Sequence, residues 1–232
     1  MNMKNLFYSI LMLPSLAMAA TADDPLLSMV LIDQLEIRST DGPDPFVLDG
    51  QLWIGKDLNK LWIKTEVERV DGETEEAELQ ALYSRAIAPY WDAQIGWRRD
   101  FRPKPERDWL AIGVQGLAPY FFEVDAALFI GESGRSAARL EAEYEFMFSQ
   151  RLILSPEIEV NFYGKDDPAI GIGSGLSDIE LGLRLRYEIR REFAPYVGIN
   201  WSRKFGQTAD YAKTAGNDIK DTQIVAGVRI WF

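Results

Sequence analysis

The sequence predicts an exported all-β protein, an antiparallel up-and-down transmembrane β-barrel of about twelve strands, with ten as the alternative. Three observations support this fold class. The chain begins like an export signal, polar and apolar residues alternate along most of the remaining sequence, and the last strand ends on the aromatic Phe232. Alternation with a period of two is typical of strands whose two faces meet different surroundings, here lipid outside and a polar lumen inside.

The N-terminus reads as a secretory signal peptide. Lys4 precedes an apolar run over 6–16, and Ala17-Met18-Ala19 has the small-x-small form of a cleavage site. An uncleaved membrane anchor would need about 20 apolar residues, whereas this run is shorter and is interrupted by Pro14. We therefore expect three parts: a signal peptide at 1–19, a short periplasmic segment at 20–29, and an outer-membrane barrel at 30–232 of a Gram-negative bacterium.

The strands follow from alternation along the chain. In Asp178 to Arg190, for example, Ile179, Leu181 and the alternate residues after them are apolar, and the opposite face is charged. A helix would mix these two sets. The same pattern gives twelve strands at about 30–38, 46–55, 60–69, 76–87, 91–101, 108–117, 120–131, 136–148, 151–162, 178–190, 195–205 and 221–232. Pro156 predicts a bulge in the ninth strand, because proline cannot donate to the ladder.

The predicted connections alternate in length. The turns near 57, 89, 119, 149 and 192 are tight, and the last two intervening connections, 163–177 and 206–220, are long. Short turns belong on the periplasmic side of such barrels and long loops outside, so both chain ends fall in the periplasm. A soluble antiparallel sandwich also has alternating strands. The signal peptide, the loop lengths and the terminal Phe232 favour the barrel over this alternative.

Composition excludes several functions. The chain has 36 acidic and 25 basic residues, a net charge of -11, no histidine and no cysteine. Nucleic-acid binding needs a basic face, so no nucleic-acid partner is expected. Histidine-dependent triads, cysteine nucleophiles, common zinc sites and iron–sulfur clusters are also excluded. We expect no enzyme.

The polar face of the predicted strands lines the lumen, where acids outnumber bases. An acidic lumen raises the local concentration of cations and disfavours anions. The competing interpretation is a salt-bridged plug, because buried charges need partners. The predicted acidic path consists of Glu66, Glu68, Glu123, Asp125, Asp178 and Glu180.

Several long stretches resemble the copper resistance protein B family of outer-membrane proteins. They include DLNKLWIKTEVE at 57–68, ALYSRAIAPYWDAQIGWRRD at 81–100, GVQGLAPYFFEVDAALFIGESGR at 113–135, LEAEYEFMFSQRLIL at 140–154 and VAGVRIWF at 225–232. The resemblance covers about Val30 to Phe232. It implies a barrel that serves copper homeostasis beside a periplasmic copper-binding protein or copper oxidase. Family members usually carry a Met- and His-rich segment before the barrel, whereas Ala20 to Met29 has one Met and no His.

Soft copper ligands are scarce after the signal peptide. Only Met29 and Met147 remain, and Cu(I) prefers thioether or thiolate while Cu(II) prefers imidazole. Met147 shares its predicted inward phase with Glu141, Glu143 and Glu145. These four residues and Met29 are the candidate metal ligands, although a methionine near the rim is more often a gap-filler. We expect a monomeric barrel among outer-membrane lipids and lipopolysaccharide that binds copper weakly or transiently. The alternative is a general cation-preferring small-solute channel.

Overall fold

The computed structural model describes residues 24–40 and 42–232, so the expected signal peptide at 1–19 lies outside the described residues. These described residues form thirteen β-segments and one α-helix. They are β1 (Leu27–Ser39), β2 (Phe46–Lys56), β3 (Asn59–Val70), β4 (Glu73–Ala88), β5 (Trp91–Arg102), β6 (Arg107–Ala118), β7 (Phe122–Gly131), β8 (Ser136–Glu143), β9 (Phe146–Met147), β10 (Leu152–Tyr163), β11 (Gly175–Tyr187), β12 (Phe193–Lys204), α1 (Gly206–Ala215) and β13 (Lys220–Trp231). The first strand begins three residues before the expected position 30.

The strands close into an antiparallel barrel of twelve. Each strand pairs with the next along the chain, β13 pairs with β1, and β10 joins β11. The short β8 and β9 segments both pair with β10 in one continuous register, Ile158 opposite Ala142 and Leu154 opposite Phe146, and together count as one strand. The predicted fold class and strand number are confirmed. Within 24–40 and 42–232, no helix is long and apolar enough to cross a membrane.

The two faces of the strands divide as the alternation predicts. On β11, Leu181, Leu183 and Leu185 are exposed on the outside, while Arg184 and Arg186 are buried inside. A polar interior and an apolar exterior are the reverse of a soluble sandwich, whose apolar faces meet between two sheets. The exterior is therefore suited to lipid and the interior holds the charged groups.

The predicted bulge at Pro156 is wrong. The pairing of Glu157 with Glu143 and of Leu154 with Phe146 shows one register on both sides of the proline. The Pro156 carbonyl accepts a hydrogen bond from the Tyr144 amide at 3.1 Å, but proline has no amide to return the bond. The consequence falls on the neighbouring strand, which is interrupted between β8 and β9.

A helix replaces part of the long connection predicted at 206–220. Helix α1 buries Thr208, Ala209 and Ala212 and ends at Gly216, whose φ of 82° places it in the left-handed region. The Gly216 amide donates to the last turn of the helix, a common way for helices to end. We call the end of the barrel that carries α1 and the connection 164–174 the loop end, and the opposite end, where β1 begins and β13 ends, the terminal end.

Candidate functional site

One apolar row crosses the inner wall of the barrel. It contains Trp53, Trp62, Leu82, Gly96, Ala111, Phe129, Ala137 and Tyr163, each directly opposite the next on the adjacent strand. Trp62, Leu82 and Phe129 are buried. The Arg98 guanidinium lies 4.4 Å from the centre of the Phe129 ring, which combines aromatic packing with a cation–π contact. The lumen thus contains a small apolar core that the charge pattern did not predict.

A fully buried carboxylate anchors the opposite wall. Glu36 on β1 is 1% exposed. Its oxygens accept hydrogen bonds from Arg38 at 2.8 Å, from the Nε and Nη2 atoms of Arg184 at 3.0 Å each, and from the Tyr196 hydroxyl at 2.8 Å. We call these four residues the Glu36 network. Since they come from β1, β11 and β12, they tie together the region where the barrel closes.

A glycine makes room for this network. Gly227 on β13 is opposite both Glu36 and Tyr196. A Cβ atom at this position would lie 2.7 Å from the Glu36 Cβ and 2.7 Å from the Tyr196 hydroxyl. Because real Cβ contacts are not this short, only glycine lets the two side chains meet across β13.

Two ion pairs cross the lumen from β3 and β4 to β7 and β8, and Arg229 on β13 also reaches Glu145, between β8 and β9, at 3.4 Å. The Lys64 ammonium on β3 binds the Asp125 carboxylate on β7, and Arg139 on β8 binds Glu78 on β4 at 3.0 Å. Each pair joins strands four positions apart in a ring of twelve. A chord across one third of a circle is close to its diameter, so both pairs pass through the interior rather than along the wall. We call them the crossing pairs.

Arg139 is surrounded by further carboxylates. Its closest approaches are 3.8 Å to Glu66, 3.8 Å to Glu141 and 3.5 Å to Glu159. These distances are too long for good hydrogen bonds. Arg139 therefore attracts these three carboxylates by charge without a direct hydrogen bond, whereas it bonds Glu78 directly; Glu159 accepts a hydrogen bond from the Asn161 side chain at 2.6 Å.

The crossing pairs border a cavity of about 370 Å³. Gln94 and Gln115 line the cavity on the side of β5 and β6, and the β2 and β11 side is acidic. Among the described residues, Asp49 has no ion-pair partner within 4 Å. The acidic side chains that line the cavity include Asp33, Asp49, Glu66, Glu123, Glu141, Glu143, Glu157, Glu159 and Glu180. The cavity therefore carries surplus negative charge, which favours cations.

The other predicted acidic residues are spread along the lumen. Glu180 accepts a hydrogen bond from Arg38 at 3.0 Å, and Asp178 accepts one from the side-chain amide of Asn161 at 2.9 Å. Glu68 on β3 is opposite Glu76, and Glu123 on β7 is opposite Glu143. These residues lie on several strands rather than in one compact site.

The candidate metal ligands do not form one group. Glu145 binds Arg186 directly, and Glu143 lies 3.9 Å from the same guanidinium. Met147 on β9 is 69% exposed, and four strands separate it from Met29 on β1. In the described part of the chain, no three His, Cys, Asp or Glu side chains are arranged to hold a metal ion.

Sequence reasoning missed several lumen residues, among them the charged Asp33, Arg38 and Asp49. Asp33 binds Arg229 at 2.8 Å. It lies at a bulge between Ile32 and Gln34, which shifts the phase of β1. Arg38 and Asp49 needed no such shift, since they share the inward phase with Glu36 and Gln51, and continuing the alternation would have found them.

The connection 164–174 is fastened to neighbouring strands at the loop end. Asp167 is buried and binds Arg107 at 2.8 Å and Arg135 at 2.9 Å. The hydrogen bond from Arg107 and the positive charge of both guanidinium groups hold the pKa of Asp167 below its usual range. The Thr208 hydroxyl of α1 accepts a bond from the Gly173 amide at 2.9 Å. Both long connections are thus joined to each other and to the barrel.

Comparison with known proteins identifies the family. Residues 26–232 match the family model described as copper resistance protein B precursor. The chain belongs to the copper resistance protein B family. Copper resistance protein B of Escherichia coli is 50% identical over 92% of this chain and 72% of its own length. The homolog from Pseudomonas syringae pv. tomato is 46% identical over 90% of this chain and 71% of its own length.

Two porins of known structure have the same fold. The NanC porin has a TM-score of 0.56 at 10% identity and covers 88% of this chain and 99% of its own. The KdgM porin has a TM-score of 0.52 at 13% identity and covers 89% and 99%. At these identities the likeness concerns the fold alone. Together with the family, it makes this chain an outer-membrane barrel of a copper resistance system, exported as a precursor.

Proposed function

We propose that the barrel passes copper ions across the outer membrane through the acid-lined cavity, holding them only weakly. The observation that carries this proposal is the surplus of carboxylates around the cavity, above all Asp49 and the three acids held by Arg139 at long range. Such a cavity concentrates cations by charge. We name copper as the cation because the chain belongs to the copper resistance protein B family.

Weak binding follows from the ligand types. Carboxylate oxygens are not the ligands that select copper, since Cu(I) prefers sulfur and imidazole is a good copper ligand. The chain has neither histidine nor cysteine. Conduction also requires that an ion leave as readily as it enters. We therefore expect copper to be a transient cargo, with copper preference supplied by a periplasmic copper-binding protein or copper oxidase. The barrel would act as a monomer and catalyse no reaction.

The second candidate is a cation-preferring channel that is indifferent to copper. The same absence of copper-selective ligands favours it. The two candidates differ in copper tolerance, because a channel without a role in copper handling would not alter survival on copper. The two candidates can be separated by measuring the copper tolerance of a strain that lacks the gene and is complemented with the wild-type chain or with variants.

The complementation experiment uses three variants at matched outer-membrane abundance. Glu66→Gln with Glu141→Gln removes two cavity acids, and Glu132→Gln with Glu192→Gln removes two exposed acids as a control. Met29→Leu with Met147→Leu removes the thioethers while nearly conserving volume. We expect lower copper tolerance only with the cavity acids removed. If the methionine variant alone loses tolerance, a thioether site carries the function instead.

A further inference from the structure

We propose that the crossing pairs restrict passage to small inorganic cations and exclude organic solutes from the cavity. This inference deepens the proposed function, on which it rests for the flow of cations, by naming the substrate class that the lumen admits. It assigns to Lys64, Asp125, Arg139 and Glu78 a role in specificity. No contact between these residues and a metal ion is required.

The two crossing pairs are stacked along the barrel. Glu78 is opposite Glu66, and Lys64 lies two residues from Glu66 toward the terminal end of β3. On the other side, Asp125 is opposite Glu141, and Arg139 lies two residues from Glu141 toward the loop end of β8. A solute that moves along the lumen therefore meets one crossing pair after the other.

The cavity continues on both sides of the crossing pairs. Gln94 and Gln115 line it on one side, and Asp49 and Glu180 line it on the other. The two crossing pairs border the open space of this cavity, which is about 370 Å³. A solute must therefore pass between the pairs and the surrounding carboxylates, and such a path suits a small ion with part of its water shell. A sugar-sized solute would have to break a pair.

The Arg139 pair is firmly anchored. Glu78 also accepts a contact from Arg98 at 2.8 Å, and Arg98 binds Asp100 at 2.7 Å. Asp100 in turn accepts a hydrogen bond from the Trp109 indole at 2.8 Å. This chain of contacts fixes Glu78 against the wall formed by β4, β5 and β6. Arg139 can therefore remain in place while a cation approaches Glu66, Glu141 or Glu159, which it does not bond directly.

The Lys64 pair offers a clean perturbation. Its side chains are 19% and 18% exposed, so removing one partner would leave a partly buried charge, and both should be removed together. A matched control exists on the same strand. Lys60 binds Asp92 at 3.2 Å, and this pair joins β3 to β5, along the wall rather than across the lumen.

The test uses purified full-length barrels in liposomes. Swelling in arabinose measures passage of an organic solute, conductance in potassium chloride measures ion flow, and heat-modifiable migration confirms folding. We expect no arabinose swelling with the wild type or with Lys60→Ala plus Asp92→Ala. Lys64→Ala plus Asp125→Ala should raise conductance several-fold, and the exchanged pair, Lys64→Asp plus Asp125→Lys, should restore the wild-type conductance by rebuilding the bridge. Because the Arg139 pair still crosses the lumen in the double variant, arabinose should enter only when Arg139→Ala and Glu78→Ala are added.

Two results would overturn the proposal. One is a wild type that already passes arabinose as fast as the variant that lacks both pairs. The other is a folded double variant whose conductance equals that of the wild type, or a folded variant without both pairs that still excludes arabinose. The zero-current potential of the wild type in a salt gradient tests the proposed function separately. If the wild type shows no cation preference in this measurement, the acidic ion path is refuted, even if arabinose exclusion depends on the crossing pairs.

Discussion

Removing the Glu36 carboxylate should cost more stability than removing any exposed acid of the barrel. The side chain is 1% exposed and accepts four hydrogen bonds from Arg38, Arg184 and Tyr196. Removing one partner of a buried ion pair costs about 3 to 5 kcal/mol. Arg38 keeps Glu180 and Arg184 keeps Glu157 as partners, so we expect Glu36→Ala to fall near the lower limit, at about 3 kcal/mol.

Two variants calibrate this value. Tyr196→Phe removes one hydrogen bond to a charged group, which is worth about 1.5 to 3 kcal/mol. Asp24→Ala removes an exposed pair with Lys56, whose side chains are 54% and 49% exposed for Lys56 and Asp24, and such pairs contribute at most about 1 kcal/mol. Urea unfolding in lipid vesicles, followed by tryptophan fluorescence, gives the three free energies of unfolding. A Glu36→Ala cost no larger than that of Asp24→Ala would refute the reasoning.

Three further predictions concern the outer face, Gly227 and the loop end. Leu183→Arg places a charge on the lipid face at a cost of about 2 to 4 kcal/mol near the midplane, and should lower the heat-modifiable fraction; unchanged assembly would mean that Leu183 does not face lipid. Gly227→Val should separate Tyr196 from Glu36 and cost about 1 to 3 kcal/mol in the urea assay, and a neutral effect would contradict the close approach. The pKa of Asp167 is lowered in the folded protein, so its ion pairs with Arg107 and Arg135 stabilise the loop end above the ordinary aspartate pKa. This stabilisation is lost as the pH falls through the lower folded pKa. Limited proteolysis of 164–174 should therefore be faster with Asp167→Asn at neutral pH than with the wild type. Wild-type cleavage by an acid-active protease should rise below about pH 4. Equal cleavage of both chains at neutral pH would contradict a stabilising role of the Asp167 ion pairs.

Much of the fold was predictable because each strand carries its own signal. Leu183 and Arg184 are adjacent, yet one is exposed to lipid and the other is buried in the lumen, as the alternation requires. Local pattern fixes which face a residue occupies, and it does so without knowledge of the neighbouring strands. The twelve strands and their order follow from this pattern together with short turns.

The bulge at Asp33 and the interruption beside Pro156 were not predicted correctly. A bulge adds one residue on one strand, and nothing in the residues around Asp33 marks the position of that addition. For Pro156, the missing amide has its effect on Tyr144 of the partner strand. Both errors arise because ladder pairing is a property of two strands rather than one.

The contacts across the lumen lie further beyond sequence reasoning. The pairing of Lys64 with Asp125 depends on the tilt and stagger of strands that are four positions apart. Tilt, stagger and strand number are linked only once the barrel is closed. The sequence therefore indicates an acidic lumen, whereas the crossing pairs and the apolar row through Trp62 and Phe129 need the closed structure.

Copper uptake by liposomes that contain only this purified barrel tests the central claim most directly. The comparison is between the wild type, Glu66→Gln with Glu141→Gln, and the control Glu132→Gln with Glu192→Gln, at equal amounts of folded protein. We predict copper uptake with the wild type and the control, and much slower uptake when Glu66 and Glu141 are neutral. Copper uptake no faster with the wild type than in protein-free liposomes, or equal in all three barrels, would contradict the account.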